Sequence, residues 1–501
     1  MFDLPFKIVL AGCALQKLNA DLDALLQDAQ VDVKRAILDF AAQEVTPEST
    51  FRLEEQLEAA GRESLRKVMQ FVLNQLEGED PEQAPQFIYA DVGRYRRENK
   101  KTPNRTVATR FGEVELWRFR YRFAHRESEP SIFPLEWQLG LVAGVTPALA
   151  DTIAYAMADT GASQGRVLEK LKRDHNVRLG PERLRTVTIA QAEAMAPLRH
   201  QFQVAKLVDL LQQAHDSSGN RKPVMAVGRD GITVCNQPHG FYEVASVGTI
   251  TIYDRSGKRL GTIYLARMPE SLQSEMSRQL KRLIVDVLKT CEHPLPRLCY
   301  VTDAGENETA FFHNVLQHLR DPRDPTRRLK WIRIVDYYHA TERITTMAKS
   351  LFGKGSGAGF AWARRMRKLL KKKNGPNRVL RSAAAIANQQ KMSKTRQQDF
   401  ATAYNYIRSR TKYMQYAAYS KMHFPIGSGV TEAACKTVFT QRFKLSGMRW
   451  KTAMGQAILD LRTILLSGLW TKVRDASLQQ RSPCITVPQP KVEKRKLAHA
   501  A

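Results

Sequence analysis

The sequence is short of acids for its bases: 50 Asp and Glu stand against 78 Lys and Arg, a formal charge of +28. It also lacks paired cysteines. Its six, at positions 13, 235, 291, 299, 435 and 484, are scattered and form no C-x-x-C pair, which indicates neither a zinc ribbon nor a disulfide framework and suits a reducing cytosol. No apolar run reaches the roughly 18 residues that a membrane helix needs, so a soluble, intracellular protein without a membrane partner is expected. Leu10-Ala11-Gly12-Cys13 resembles a lipoprotein cleavage box, but the apolar run before it is very short and a helical pattern follows at once, so we read it as chance. The acid deficit says little about fold. It points to a polyanionic partner, nucleic acid foremost, and away from a merely basic surface.

At 501 residues the chain exceeds one compact core, which predicts roughly two to four domains. Leu15, Leu18, Leu22, Leu25 and Leu26, then Leu53, Leu57, Leu65, Val68 and Phe71, recur at helical spacing and define a helical region over 1–85. A basic stretch, 93–105, precedes TVATRFGEVELWRFRYRF (106–123), whose alternation around Phe111-Gly112 predicts a β-hairpin in a region spanning 86–145. Over 146–215 the pattern is helix, Gly-bearing turn, helix. The second helix starts near Pro181 with Arg183 and Arg185 in its first turns, which suits a DNA-reading helix-turn-helix or an ordinary helical hairpin.

From 220 to 352 the order is β, β, β, α, β, α, β, α, implying a mixed sheet flanked by helices. Residues 353–424 are basic and Ala-rich and predict a helical insertion, with Arg364, Arg365, Arg367, Lys368, Lys371, Lys372 and Lys373 clustered as a DNA clamp or a solvated face. Helices return over 425–474. The tail, 475–501, carries prolines and a basic end and is expected to be disordered.

Two carboxylates share a setting. Asp230 and Asp303 each end a short apolar strand, and a glycine follows at 231 and 305. Strand-end carboxylates that converge repel unless a cation lies between them, and Mg²⁺ suits such hard oxygen ligands. The competing reading of Asp230 is a turn residue before glycine, the role we give Asp254. Glu306, Glu308, Asp336 and Glu432 are candidates for a third acid. Glu432 lies one turn into a helix that Ser428 can cap, with Val430, Ala434 and Val438 as its apolar stripe. A first-turn acid that merely suits the helix dipole is the alternative.

VTDAGENE (301–308), DYYHATERI (336–344) and GSGVTEAACK followed by QRFKLSGMRW (427–450) resemble bacterial insertion-sequence transposases with an RNase H-like DDE catalytic domain. The similarity is nearest to the family whose type element is called Kra-four, and it spans roughly residues 106–470. The resemblance implies that Asp230, Asp303 and Glu432 are the catalytic, metal-holding acids, with two Mg²⁺ (or Mn²⁺) ions per site. It implies that Asp336-Tyr337-Tyr338-His339 is the Asp/Cys-x-x-His motif of related groups, where His339 positions phosphate or simply locks strand to helix. Relatives often carry zinc-ligand cysteines near the N-terminal hairpin, and this chain has none over 122–133.

The implied activity is a DNA transposase that cuts and joins the inverted-repeat ends of its element. Its partners would be double-stranded end and target DNA, bound by a homodimer or larger assembly at the bacterial nucleoid. Lys436, Arg442, Lys444, Arg449 and Lys451 would follow phosphates, and Trp450 would either stack on an unpaired base or fill core. A non-catalytic, domesticated DNA-binding protein and an RNase H-like nuclease without strand transfer are the alternatives.

Overall fold

The structure is a computed structural model that describes residues 14–480 except 79, 91–92, 104, 124–130, 160, 162, 239 and 390. Cys13, Cys484 and the tail from 481 lie outside the described residues. The chain forms two compact units: Met1–Met157, Ala162–Gln191 and Arg474–Ala501 make the first, Ala158–Gly161 and Ala192–Val473 the second.

The first unit opens with two helices, α1 (Ala14–Ala41) and α2 (Pro47–Asn74). Thr46 and Ser49 cap α2 reciprocally: the Ser49 N–H donates to Thr46 Oγ1 at 3.1 Å and the Thr46 N–H to Ser49 Oγ at 2.9 Å. Strands β1 (Phe87–Ala90), β2 (Gly93–Thr102) and β5 (Arg118–Phe123) form an antiparallel sheet in the order β1-β2-β5. The expected hairpin is shorter than its sequence pattern. It joins β3 (Val107–Thr109) to β4 (Gly112–Val114), while β5 leaves it to pair with β2. The basic stretch from 93 is therefore a strand: Tyr95 and Arg97 turn inward while Arg96 stays exposed, a period of two that the run of charges conceals.

Short α3 (Pro134–Gln138), α4 (Pro147–Ala158) and α5 (Gln164–His175) follow. Helix α6 starts at Pro181 as expected, but it continues to Asp216 and passes from the first unit into the second. The connector 176–180 also exceeds the roughly three to four residues of a compact helix-turn-helix.

The second unit is built on a mixed sheet. Strands β6 (Val224–Gln237), β7 (Phe241–Tyr253) and β8 (Arg259–Arg267) are antiparallel, and β9 (Arg297–Thr302) and β12 (Trp331–Val335) extend it in parallel, giving β12-β9-β6-β7-β8. The β7–β8 turn is closed by Asp254, whose Oδ1 accepts from the Ser256 and Lys258 N–H groups at 2.9 and 2.8 Å. Helices α7 (Ser274–Thr290), α8 (Glu306–Asn314) and α9 (Tyr337–Phe352) follow β8, β9 and β12 in turn. Between α8 and α9 a small hairpin, β10 (Arg320–Asp321) and β11 (Asp324–Arg328), was not anticipated.

The segment after α9 is helical: α10 (Gly357–Leu370), α11 (Gly375–Ala387), α12 (Lys394–Arg410) and α13 (Tyr416–Lys421). Trp362, Met366, Val379 and Ile407 of these helices share one buried core with Ile334 of the sheet and Ile344 of α9, so the segment is packed onto the unit. Helix α14 (Gly429–Ala434) then runs into a π-helical turn, Cys435–Thr440, and α15 (Gln441–Phe443). Strand β13 (Trp450–Lys451) adds to β6 in parallel, and α16 (Thr452–Leu466) packs near β8. Helix α17 (Trp470–Gln480) corrects the tail boundary, because ordered helix passes 475.

Candidate active site

The site lies where the parallel strands end. Gly228 of β6 is the last residue opposite β9, in register with Val301. Asp230 stands two residues beyond Gly228, and Asp303 two beyond Val301. The pairing therefore brings both acids to the same edge of the sheet, as the sequence suggested. One detail differs: β6 does not stop at Asp230. It runs on to Gln237, with Asp230 opposite Val247 of β7. Asp230-Gly231 is thus inside a strand and makes no turn, which removes the competing turn reading.

Helix α14 brings the third acid. A Cβ on Gly228 would lie 2.7 Å from Thr249 Oγ1 and would overlap Thr431 Oγ1. Glycine there lets the helix seat against the sheet, and the Thr249 and Thr431 hydroxyls hydrogen-bond at 2.9 Å. Thr431, Ala434, Cys435, Val438 and Phe439 form the buried face, with Val430 only partly covered. Glu432 turns to solvent beside them. Ser428 stands at the helix N-cap position, but its hydroxyl makes no capping bond. It donates instead to Glu432 Oε1 at 2.7 Å, which corrects its expected role and gives the carboxylate a fixed neighbour.

Cys435 ties the acids together. Its thiol donates to Asp230 Oδ2 at 3.3 Å, and the Gly231 N–H donates to Asp230 Oδ1 at 2.7 Å. Burial pushes the Cys435 thiol up, and the charges of Asp230, Glu432 and Asp303 push it further. It therefore stays a neutral donor. Burial also raises the Asp230 carboxyl, and the Asp303 charge adds to this; the Cys435 and Gly231 hydrogen bonds and the nearby His339 oppose it.

A fourth acid belongs to this group. Glu308 is 6% exposed, and burial, with the charges of Asp303 and Asp230, raises its carboxyl against the pull of Arg229. A side chain at Gly305 would run into the Glu308 carboxylate and lie 3.5 Å from Asp303 Oδ1. Glu306, by contrast, is exposed in the first turn of α8.

Asp336 and His339 lie beside Glu432. Asp336 is fully buried and both its oxygens are engaged: Oδ1 accepts from the His339 N–H at 2.7 Å, capping α9, and Oδ2 from the Ser428 N–H. It thereby fastens the loop before α14 to the end of β12. His339 Nε2 sits 3.8 Å from Glu432 Oε1, and Nδ1 sits 3.2 Å from Glu342. Ligand-type atoms of Asp336, His339 and Glu432 lie within 4.8 Å of one another. Asp230 and Asp303 belong to no such group among the described residues, but their carboxylates at the same sheet edge are a set of oxygen donors of the kind a hard divalent cation takes. Asp336 serves as the brace of that set, its oxygens already spent on backbone.

The expected DNA contacts divide. Arg364, Arg365, Lys371 and Lys372 are exposed on and just after α10. Lys371 Nζ stands 4.3 Å from the Tyr337 ring centroid, so the basic cluster reaches the residue next to Asp336. Lys436, Lys444, Arg449 and Lys451 are also exposed. Arg442 and Trp450 are not. Arg442 is 1% exposed and lies 5.1 Å from the Trp450 ring; burial, with the Arg462 charge, pushes it down to about 10. The Trp450 ring packs on Phe443 at 4.4 Å, and its Nε1–H donates to the Phe443 carbonyl at 3.1 Å. Both residues are core, which overturns their assignment to phosphate and base contact. In the first unit, Arg185 is exposed and pairs with Glu182 at 3.0 Å. Arg183 is half-buried and donates to the Ala143 and Gly144 carbonyls at 2.7 and 2.8 Å.

Reading the sequence alone missed Cys435 as a partner of Asp230 and placed Ser428 in a different bond. The small residues after Glu432 signalled close approach, but one pairing between residues 205 positions apart has no local signature. Among the described residues no helix is long and apolar enough to cross a membrane. Compared with protein-family models and with curated proteins, the chain matches none.

Proposed function

We propose that the chain is a DNA transposase of the DDE type with an RNase H-like catalytic unit, cutting element ends and joining them to target DNA. The observation that carries the reading is the placement of Asp230 and Asp303 at one edge of the sheet, each two residues past the paired Gly228 and Val301, with Cys435, three residues after Glu432, bonded to Asp230 at 3.3 Å, in a chain of net charge +28. The motifs that resemble insertion-sequence transposases fall on these same residues.

In this reading Asp230 and Asp303 hold a divalent cation from the sheet and Glu432 holds it from α14. Such an ion, when bound, lowers the pKa of coordinated water and neutralises charge on a phosphodiester. Ser428 orients the Glu432 carboxylate through its hydroxyl. Cys435 keeps Asp230 turned into the site and favours its anion. His339, beside Glu432, is placed to donate to a phosphate oxygen. Lys371, Lys372, Arg364 and Arg365 approach the motif from α10 and steer a DNA strand towards it.

The test is product analysis. Purified protein, Mg²⁺ and labelled DNA carrying the inverted repeats that flank the coding frame should yield ends with a free 3′-hydroxyl and joined products. Cleavage without joining would convert the reading to a nuclease, and binding without cleavage would refute catalysis.

A further inference from the structure

The first unit contains a cavity of about 690 Å³ that none of the catalytic residues touches. Its wall carries Arg105, Arg118, Arg120, Phe133, Arg183 and Thr186. That volume suits a small organic ligand. Two of the arginines are already neutralised. Arg118, 2% exposed, donates to Glu136 Oε1 at 2.8 Å and to the Pro103 carbonyl at 2.9 Å. Arg120 donates to Glu98 Oε2 at 2.8 Å.

The other two lack an ion pair, though Glu136 and Glu182 also line the cavity. Arg183 spends its bonds on the Ala143 and Gly144 carbonyls, and no carboxylate pairs with Arg183 or Arg105 among the described residues. They are close enough that the Arg105 charge, added to burial, lowers Arg183 against the opposing charge of Glu113. Two guanidiniums that repel each other beside a cavity are stabilised by an anion between them. Arg183 is also in the first turn of α6, where the helix dipole favours an anion. Phe133 also lines the cavity, with the Arg118 guanidinium 4.9 Å over its ring.

We propose that this cavity binds a nucleotide through its phosphate, held between Arg105 and Arg183. The phosphate could belong to a free nucleotide or to a DNA strand. The proposal does not rest on the transposase reading, since it needs neither metal nor cleavage.

The experiment uses the full chain, without Mg²⁺, in two arms. Calorimetry follows dAMP, and fluorescence anisotropy follows a labelled single-stranded oligonucleotide. Arg105→Glu removes one phosphate ligand, and Thr186→Glu places a carboxylate in the cavity without touching Arg183. Lys281→Glu, on the exposed side of α7, matches the change of charge for Arg105→Glu elsewhere. Melting temperatures check that each variant folds. Loss of a charge-assisted phosphate contact predicts about a tenfold fall in affinity in both cavity variants and little change in Lys281→Glu. A fall for dAMP identifies a free-nucleotide site. A fall for the oligonucleotide alone identifies a DNA phosphate. If neither ligand distinguishes the cavity variants from Lys281→Glu, the proposal is wrong.

Discussion

The Cys435 thiol donates to Asp230 Oδ2 at 3.3 Å across 205 positions of sequence. The bond joins the helix that carries Glu432 to the strand that carries Asp230, and it favours the Asp230 anion. Removing the donor with Cys435→Ala should raise the Asp230 carboxyl further. The acidic limb of the cleavage-rate profile should then move to higher pH, while Cys435→Ser, which keeps a donor, restores it. A profile unchanged in Cys435→Ala would deny the bond a role.

Asp230 has its carboxyl raised in the folded state, chiefly by burial. The sign follows directly: its contribution favours folding below the ordinary carboxylate range and is lost as pH rises through the higher folded value. Metal-free protein should therefore lose stability between acidic and neutral pH. Asp230→Asn should recover about 2–4 °C in melting temperature at neutral pH and lose the added stability that Mg²⁺ gives the wild type. Thermal melts with EDTA and with Mg²⁺ check both effects. Stabilisation by Mg²⁺ that survives in Asp230→Asn would place the ion elsewhere.

Gly228 and Thr431 form the seat of α14. Gly228→Ala adds a methyl that overlaps Thr431 Oγ1 and should destabilise the protein by about 1–3 kcal/mol. Thr431→Ala removes that oxygen, so the double variant should recover part of the loss. Denaturant unfolding of the four proteins gives the coupling. Strict additivity would show that the two residues do not meet.

Basic and aromatic residues near the site should separate by burial. Arg364→Ala with Arg365→Ala should weaken DNA binding and flatten its salt dependence, leaving melting temperature unchanged. Trp450→Ala should instead cost about 3–5 kcal/mol of stability. Filter binding across a salt series, paired with thermal melts, distinguishes them.

Much of this layout is legible in the chain. The strand-helix order from 220 to 352 follows from runs such as PRLCYV before Asp303 and IRIV before Asp336, because parallel strands buried on both faces read as continuous apolar segments. That order is enough to bring Asp230 and Asp303 to one edge. What stayed hidden depends on tertiary contact. The strand from Gly93 is written in charged residues, and its period of two appears only through Tyr95 and Arg97. Arg442 and Trp450 look like surface in a basic run, and become core because the turn after Phe443 folds the indole back onto that ring. Ser428 reads as a cap from position alone, but its hydroxyl is taken by a carboxylate one helical turn away.

The central claim is that Glu432 completes a metal-holding triad, and single-turnover cleavage tests it most directly. Wild-type protein and Glu432→Gln are each bound to labelled end DNA at saturating concentration, and Mg²⁺ starts the reaction. The account predicts equal DNA binding and a cleavage rate lowered by about a hundredfold or more in Glu432→Gln. Cleavage by Glu432→Gln at the wild-type rate would contradict it.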